Sequence, residues 1–291
     1  MRSASLPRRI AVIGCRGQLG AELCSQLGER ALPLARPQFD LIDPVGACTT
    51  LRELRPAAVI NAAAFTQVDL AEREPERCFN VNALPVESLA NVCGELDVPF
   101  VQMSSDYVFF GKIEGAAPFR ESHPTSPEGV YARSKQASEV AAARWRRHLI
   151  VRTCGLYGRP ATPPMQGRSF VETMLALGAK RNVVRVVGDQ HCTPSFVPDV
   201  ARALLYLLNK GATGTYHVVN GGSTTWYDFA VEVFRLASLD VQVERITSRE
   251  YAAPAPRPPY SVLDTAKYHE LGGPRLPEWQ AALADCLAGQ K

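Results

Sequence analysis

Six short apolar runs, near residues 9–14, 31–35, 57–61, 98–104, 148–153 and 183–187, alternate with longer stretches of helical spacing through the first two hundred residues. Each run is β-branched or apolar and is closed by Gly, Asn, Ser or Pro, so each reads as a strand. Strands alternating with helical patterns imply strand-helix-strand units, and hence an α/β fold built on a doubly wound parallel sheet. The segment AELCSQLGER after Gly20 has helical spacing with Gly28 as its stop, and PERCFNVNALPVESLANVCGE predicts one long helix kinked at Pro85. A length of 291 residues exceeds the usual single domain. Pro and Gly crowd GRPATPPMQG, GDQHCTPSFVP and APAPRPPY, which predicts a smaller C-terminal lobe over residues 156–291. Within that region, residues of about 183–210 are expected to return to the main sheet.

The first run, IAVI, ends in Gly14-Cys15-Arg16-Gly17-Gln18-Leu19-Gly20, a G-x-x-G-x-x-G loop opening a helix. Gly14 permits the tight turn, Gly17 lets backbone approach a pyrophosphate, and Gly20 lets the helix pack on the strand. The helix amino end adds N–H donors and a positive dipole. A glycine triplet alone is a weak signal, but its position at the first strand-helix turn makes residues 1–155 a candidate Rossmann-like NAD(P)-binding domain. The second strand lacks the acid that usually holds a ribose 2′-hydroxyl, and ends in Ala35-Arg36. A guanidinium pairs with a 2′-phosphate where a carboxylate would repel it, so NADP(H) is the expected cofactor, with NAD(H) the alternative. Asp40 is a second polar candidate near the adenine. Asn61 is followed by Ala62, Ala63 and Ala64, whose small side chains leave room for a dinucleotide along the sheet edge.

Tyr131 and Lys135 form a Tyr-x-x-x-Lys pair, which a helix places one above the other. A phenol with an ordinary pKa of about 10 is a poor proton source at neutral pH, and a neighbouring ammonium is expected to draw it down. Lys135 also reaches toward the ribose of a cofactor. The pair is common by chance; its company is not. About 25 residues upstream, FVQMSSDYVF ends in Ser104, Ser105 and Asp106, at a carboxyl strand end where doubly wound sheets bind ligands. Ser105 is the expected partner of a substrate carbonyl.

Composition narrows the partners. A formal net charge of +3 with scattered basic residues offers no stripe for nucleic acid. Residues 1–9 (MRSASLPRR) read as a frayed tail, and the apolar run after them is too short for a signal peptide or a membrane span. A cytoplasmic protein without a membrane partner is expected. The 8 cysteines contain no Cys-x-x-Cys pair, and no paired His stands at metal spacing, so reduced core thiols and no metal site are expected.

The ordered set of glycine turn, NAAA, Ser-Ser-Asp and Tyr-x-x-x-Lys resembles the extended short-chain dehydrogenase/reductases, and within them the dTDP-4-dehydrorhamnose reductase family. GCRGQLG, NAAAFTQVDLAEREPERCFNVNA, SSDYVF, FRESHPTSPEGVYARSK, VRTCGLYG, GTYHVVNGGSTTWYDFA and RPPYSVLDTAKYHELG carry the likeness along nearly the whole chain. The resemblance implies that NAD(P)H reduces the 4-keto group of a dTDP-6-deoxy-hexulose to give dTDP-L-rhamnose for surface polysaccharide. It implies Tyr131 as proton donor, Lys135 as its partner, Ser105 as the hydroxyl that tunes the pair, and Asp106 as a substrate contact. It places Gly17, Gln18, Leu19, Asp40, Leu41, Ala64, Thr66 and Met103 against cofactor. Relatives can dimerise through Mg²⁺, so a homodimer is an expectation, although no carboxylate cluster here identifies such a site.

Two positions depart from the family pattern: Gly155 stands where Trp is frequent, and Tyr260 where Arg-Pro-x-Asn-Ser has Asn. Two other readings stay open. A non-catalytic regulatory subunit similar to methionine adenosyltransferase β would keep the same motifs, as would another nucleotide-sugar reductase or epimerase. Dehydratases need a second acid beside the Ser/Thr, and here Asp106 is followed by Tyr107. Elsewhere, Arg257 is a candidate clamp for the diphosphate of a nucleotide sugar. Asp69, Glu72 and Glu74 read as a solvated acidic helix start, His191 as a loop residue, Trp226 and Tyr227 as lobe core, and Thr224 or Thr225 as a helix cap.

Overall fold

The computed structural model describes residues 9–111, 117–158 and 169–288; the tail reading of residues 1–8 lies outside them, as does nearly all of GRPATPPMQG. Strands β1 (Ile10–Ile13), β2 (Ala31–Leu34), β3 (Ala58–Asn61), β4 (Phe100–Ser105) and β5 (His148–Thr153) form where the apolar runs predicted them. With Gly214–His217 they make a six-stranded sheet, every pairing parallel, in the order Gly214–His217, β5, β4, β3, β1, β2. Strands β1, β3 and β4 are buried along their whole length, as expected of a parallel sheet covered on both faces.

Helix α1 (Gln18–Leu27) follows β1 and ends at Gly28, which adopts φ 56. Its Leu19, Leu23 and Leu27 share a core with Val200, Leu204 and Leu207 of helix Val197–Asn209. The opposite face packs Leu51, Val86, Leu89 and Val92 from helices Pro44–Leu54 and Leu84–Glu95. A separate core built on Phe229, Val233, Phe234, Trp279 and Leu283 holds the C-terminal elements together.

Two expectations need correcting. The strand at Val183–Val187 forms, but pairs with Gln242–Ile246 in a two-stranded ribbon outside the main sheet. Val183 and Arg185 are exposed while Val184, Val186 and Val187 are buried, the pattern of a ribbon with one face covered. The return to the sheet is made by helix Val197–Asn209 and strand Gly214–His217, whose sequence GTYH carries too little apolar signal to read as a strand. The single kinked helix is in fact two, Pro75–Asn82 and Leu84–Glu95, broken at Ala83. Pro85 sits in the first turn of the second helix, where its missing N–H has no intrahelical partner to lose.

Candidate active site

In chain order β1 leads outward to β2, while β3 lies on its other side, so the strand order reverses between β1 and β3. The carboxyl ends of these strands form the crevice where such sheets take ligands. Gly14, at φ +79, lies so close to β3 that a Cβ there would stand 2.7 Å from the Ala63 backbone. A Cβ on Gly20 would meet the Gly14 carbonyl at 2.2 Å. The Gly14 N–H donates to Leu34 O at 2.9 Å, tying the turn to the end of β2 and bringing Arg36 to the same edge. Gly17 caps α1 with no side-chain hydrogen bond, and the Gln18 side-chain oxygen is buried without a partner. A helix amino end with no side-chain cap, on a turn whose glycines leave no room for a Cβ, offers free N–H donors and fits a dinucleotide phosphate cradle.

Arg36 and Thr66 are exposed, whereas Ala62, Ala63, Ala64, Gln18 and Asp40 are half-buried along the crevice. Asp40 accepts from the Ile42 N–H at 3.1 Å. Leu19, Leu41 and Met103 are buried in the cores on the two sides of the sheet, so any contact they make with a cofactor is through their edges or backbone.

Helix Val130–Ala142 crosses the end of β4 and carries Tyr131, Lys135 and Glu139 one turn apart. Its amino end is fixed by Glu72, which accepts the Val130 N–H at 2.7 Å. Lys135 is 1% exposed and its Nζ donates to Met103 O at 2.6 Å. Burial pushes its ammonium down to about 8, with Glu139 opposing that shift. Glu139 is itself engaged: Arg152 donates to it at 2.8 and 2.7 Å and Ser104 Oγ at 2.5 Å.

Tyr131 packs edge-on against Tyr107, ring centroids 5.6 Å apart, with Ser105 beside its hydroxyl. Contrary to the expectation of a depressed phenol, burial pushes Tyr131 above its ordinary range; the Ser105 contact opposes the rise. The ammonium of Lys135 is turned to Met103 O, so in this state the phenol keeps its proton. Ser105 Oγ donates to Asp106 Oδ1 at 3.0 Å and accepts from the Tyr107 N–H at 3.2 Å.

Arg257 does not stand free to clamp a ligand: it donates twice to Asp69, at 2.8 Å each, and once to Ala255 O. Asp69 is therefore a paired carboxylate, not a solvated one, held below the usual range chiefly by its hydrogen bond to Arg257. Glu74 pairs with Arg77. His191 joins a two-residue strand pairing with Thr224 and Thr225, and Thr225 caps the helix Trp226–Leu236. Trp226 packs on Phe170 at 4.7 Å, as the lobe-core reading expects. It also fills the space beside Gly155, where a Cβ would lie 2.8 Å from its ring and where φ is +46. Two buried residues beside the site were not singled out from sequence, Glu139 and Arg152. The spacing of four between Lys135 and Glu139 was the available signal for the first.

Residues 8–291 match the RmlD substrate-binding domain family. The chain belongs to that family. Among its relatives, dTDP-4-dehydrorhamnose reductase of Streptomyces griseus is 39% identical over 288 residues, 95% of this chain and 92% of that one. A probable dTDP-4,6-dihydroxy-2-methyloxan-3-one 4-ketoreductase of Streptomyces antibioticus is 36% identical, covering 96% and 94%. The crystal structure of dTDP-4-dehydrorhamnose reductase from Bacillus anthracis in complex with NADP superposes with a TM-score of 0.91 at 31% identity, covering 97% of this family member and 99% of that chain. Among the described residues, no group of three or more His, Cys, Asp or Glu is gathered as metal ligands would be, and no helix is long and apolar enough to cross a membrane.

Proposed function

We propose that the protein is an NADPH-dependent oxidoreductase that reduces the 4-keto group of a dTDP-linked 6-deoxy-hexulose, yielding dTDP-L-rhamnose for polysaccharide synthesis. The observation that carries this reading is Tyr131 beside Ser105, with Lys135 one turn along, at the carboxyl end of β4 in a chain 39% identical to a reductase of that name. The nucleotide lies across the residue 1–155 region, and residues 156–291 supply most of the grip on the sugar. Gly14, Gly17, Gln18, Leu19 and Gly20 hold the pyrophosphate, Arg36 the 2′-phosphate, and Ala62, Ala63 and Ala64 leave the nicotinamide half its path.

NADPH, when bound, supplies the hydride that makes the ketone carbon a carbinol. Tyr131, kept protonated by its burial, gives its proton to the carbonyl oxygen. Lys135, one turn along the helix from Tyr131, brings its charge to the phenolate that results. The 8 cysteines form no disulfide among the described residues, which suits the reducing cytoplasm where we place the enzyme.

Incubation with NADPH and a panel of dTDP- and other nucleotide-linked 4-keto sugars tests this directly, with loss of absorbance at the reduced-nicotinamide band as the readout. Oxidation that depends on dTDP-4-dehydro-L-rhamnose is expected. Tight NADPH binding with no ketone-dependent oxidation across the panel would instead identify a regulatory relative.

A further inference from the structure

The segment that begins at Arg257 ends on a serine that the hydride chemistry above leaves without a task. Ser261 is 2% exposed, and backbone pins it from two sides. Its own N–H donates to His191 O at 2.9 Å, and the neighbouring Tyr260 carbonyl accepts from the Gly111 N–H at 3.1 Å. This fixation aims Oγ at Asp106, and it donates to Oδ2 at 2.6 Å across 155 residues of chain.

Asp106 has no ion pair among the described residues and is 2% exposed; burial pushes its carboxyl above the ordinary range, and only hydrogen-bond donors oppose that rise. Ser261 is on one oxygen, Ser105 on the other, and the Cys154 thiol adds to them. A buried carboxylate is costly unless such donors meet it. The polarity of the next link follows. A serine hydroxyl has one proton, and Ser105 gives it to Asp106. The Ser105 oxygen accepts from the Tyr107 N–H, and the Tyr131 phenol lies beside the same hydroxyl.

We propose that Ser261 is a positioning residue for ketone reduction: by holding the Asp106 carboxylate it fixes the Ser105 hydroxyl beside Tyr131. Asp106 is thereby an anchor inside the protein, with a serine hydroxyl on each of its oxygens. The late segment that also carries Arg257 is in this way tied to the carboxyl end of β4, where Ser105 stands. The assignment rests on the reading of Tyr131 as proton donor.

Wild type, Ser261→Ala, Ser261→Thr, Asp106→Asn and the Ser261→Ala/Asp106→Asn double variant are compared in the NADPH assay. NADPH affinity is followed by fluorescence and folding by thermal unfolding. Loss of a hydrogen bond to a charged group predicts that Ser261→Ala lowers kcat about tenfold or more, with the NADPH Kd unchanged and KM altered far less than kcat. Ser261→Thr, which keeps the hydroxyl, recovers most of the rate. In the Asp106→Asn background the alanine costs much less than it does alone, because both changes break one chain. A folded Ser261→Ala enzyme at wild-type kcat, or losses that simply multiply in the double variant, overturns the assignment. Should Ser261→Ala fail to fold, Ser261→Cys takes its place, its weaker donor predicting an intermediate kcat and a wild-type value overturning the proposal. An inactive wild type would instead sink the proposed reaction, so the two failures are told apart in one experiment.

Discussion

Tyr131 and Arg36 do different work, and each can be examined alone. Arg36 ends β2 on the edge to which the Gly14 N–H is tied, and it is exposed, so a phosphate can reach its guanidinium without displacing a protein partner. Arg36→Ala is expected to lower kcat/KM for NADPH about tenfold or more while leaving that for NADH nearly unchanged. Steady-state kinetics with both cofactors decides the matter, and an unaltered ratio removes Arg36 from the cofactor site. Some residue properties were readable in the sequence because local spacing determines them: the turn glycines, the Tyr-x-x-x-Lys pair and the strand-end Ser105 stand where their motifs put them. The protonation of Tyr131 was not readable. It is set by burial against Tyr107 and by where Lys135 points, and both depend on the packing of elements far apart in sequence.

Among the elements, helix Val130–Ala142 and strand β5 are joined through Glu139 and Arg152. Both side chains are buried, with two hydrogen bonds between them and a third from Ser104. Removing one partner of such a pair leaves an uncompensated charge, so Arg152→Met is expected to cost about 3–5 kcal/mol of stability. The Arg152→Met/Glu139→Leu variant should recover much of that loss in denaturant unfolding; equal instability of single and double variants would show that the pair is not the cause. Sequence alone located most elements but misjudged two. Pro85 was read as a kink although its residue type equally suits the start of a new helix. Val183–Val187 looked like a sheet strand because short apolar runs do not say which partner they pair with.

The molecule as a whole is closed by the last strand of its main sheet, and His217 there meets four separate parts of the chain. Its N–H donates to Glu121 at 2.8 Å, its ring reaches Asp264 O at 3.1 Å and Arg152 at 3.4 Å, and it stands edge-on to Phe109. Burial first, and the Arg152 charge second, push His217 down from 6.5 to about 3. The unfolded chain takes up this proton near pH 6.5 and the folded protein only near 3, so the contribution of His217 is complete above 6.5 and lost as pH falls toward 3. The fall in unfolding free energy from pH 6.5 to about 5, above most carboxylate titrations, should be shallower in His217→Gln than in wild type. Equal slopes would contradict a neutral buried imidazole.

All of these parts converge on the proposed reaction, in which a half-buried, protonated Tyr131 serves a ketone beside a bound nicotinamide. The most direct measurement is turnover of dTDP-4-dehydro-L-rhamnose by Tyr131→Phe, with the NADPH Kd of the same preparation. Loss of a positioned general acid predicts a kcat lower by about 10²–10⁴-fold with cofactor affinity intact. A Tyr131→Phe enzyme that turns over at close to the wild-type rate would contradict the account at its centre.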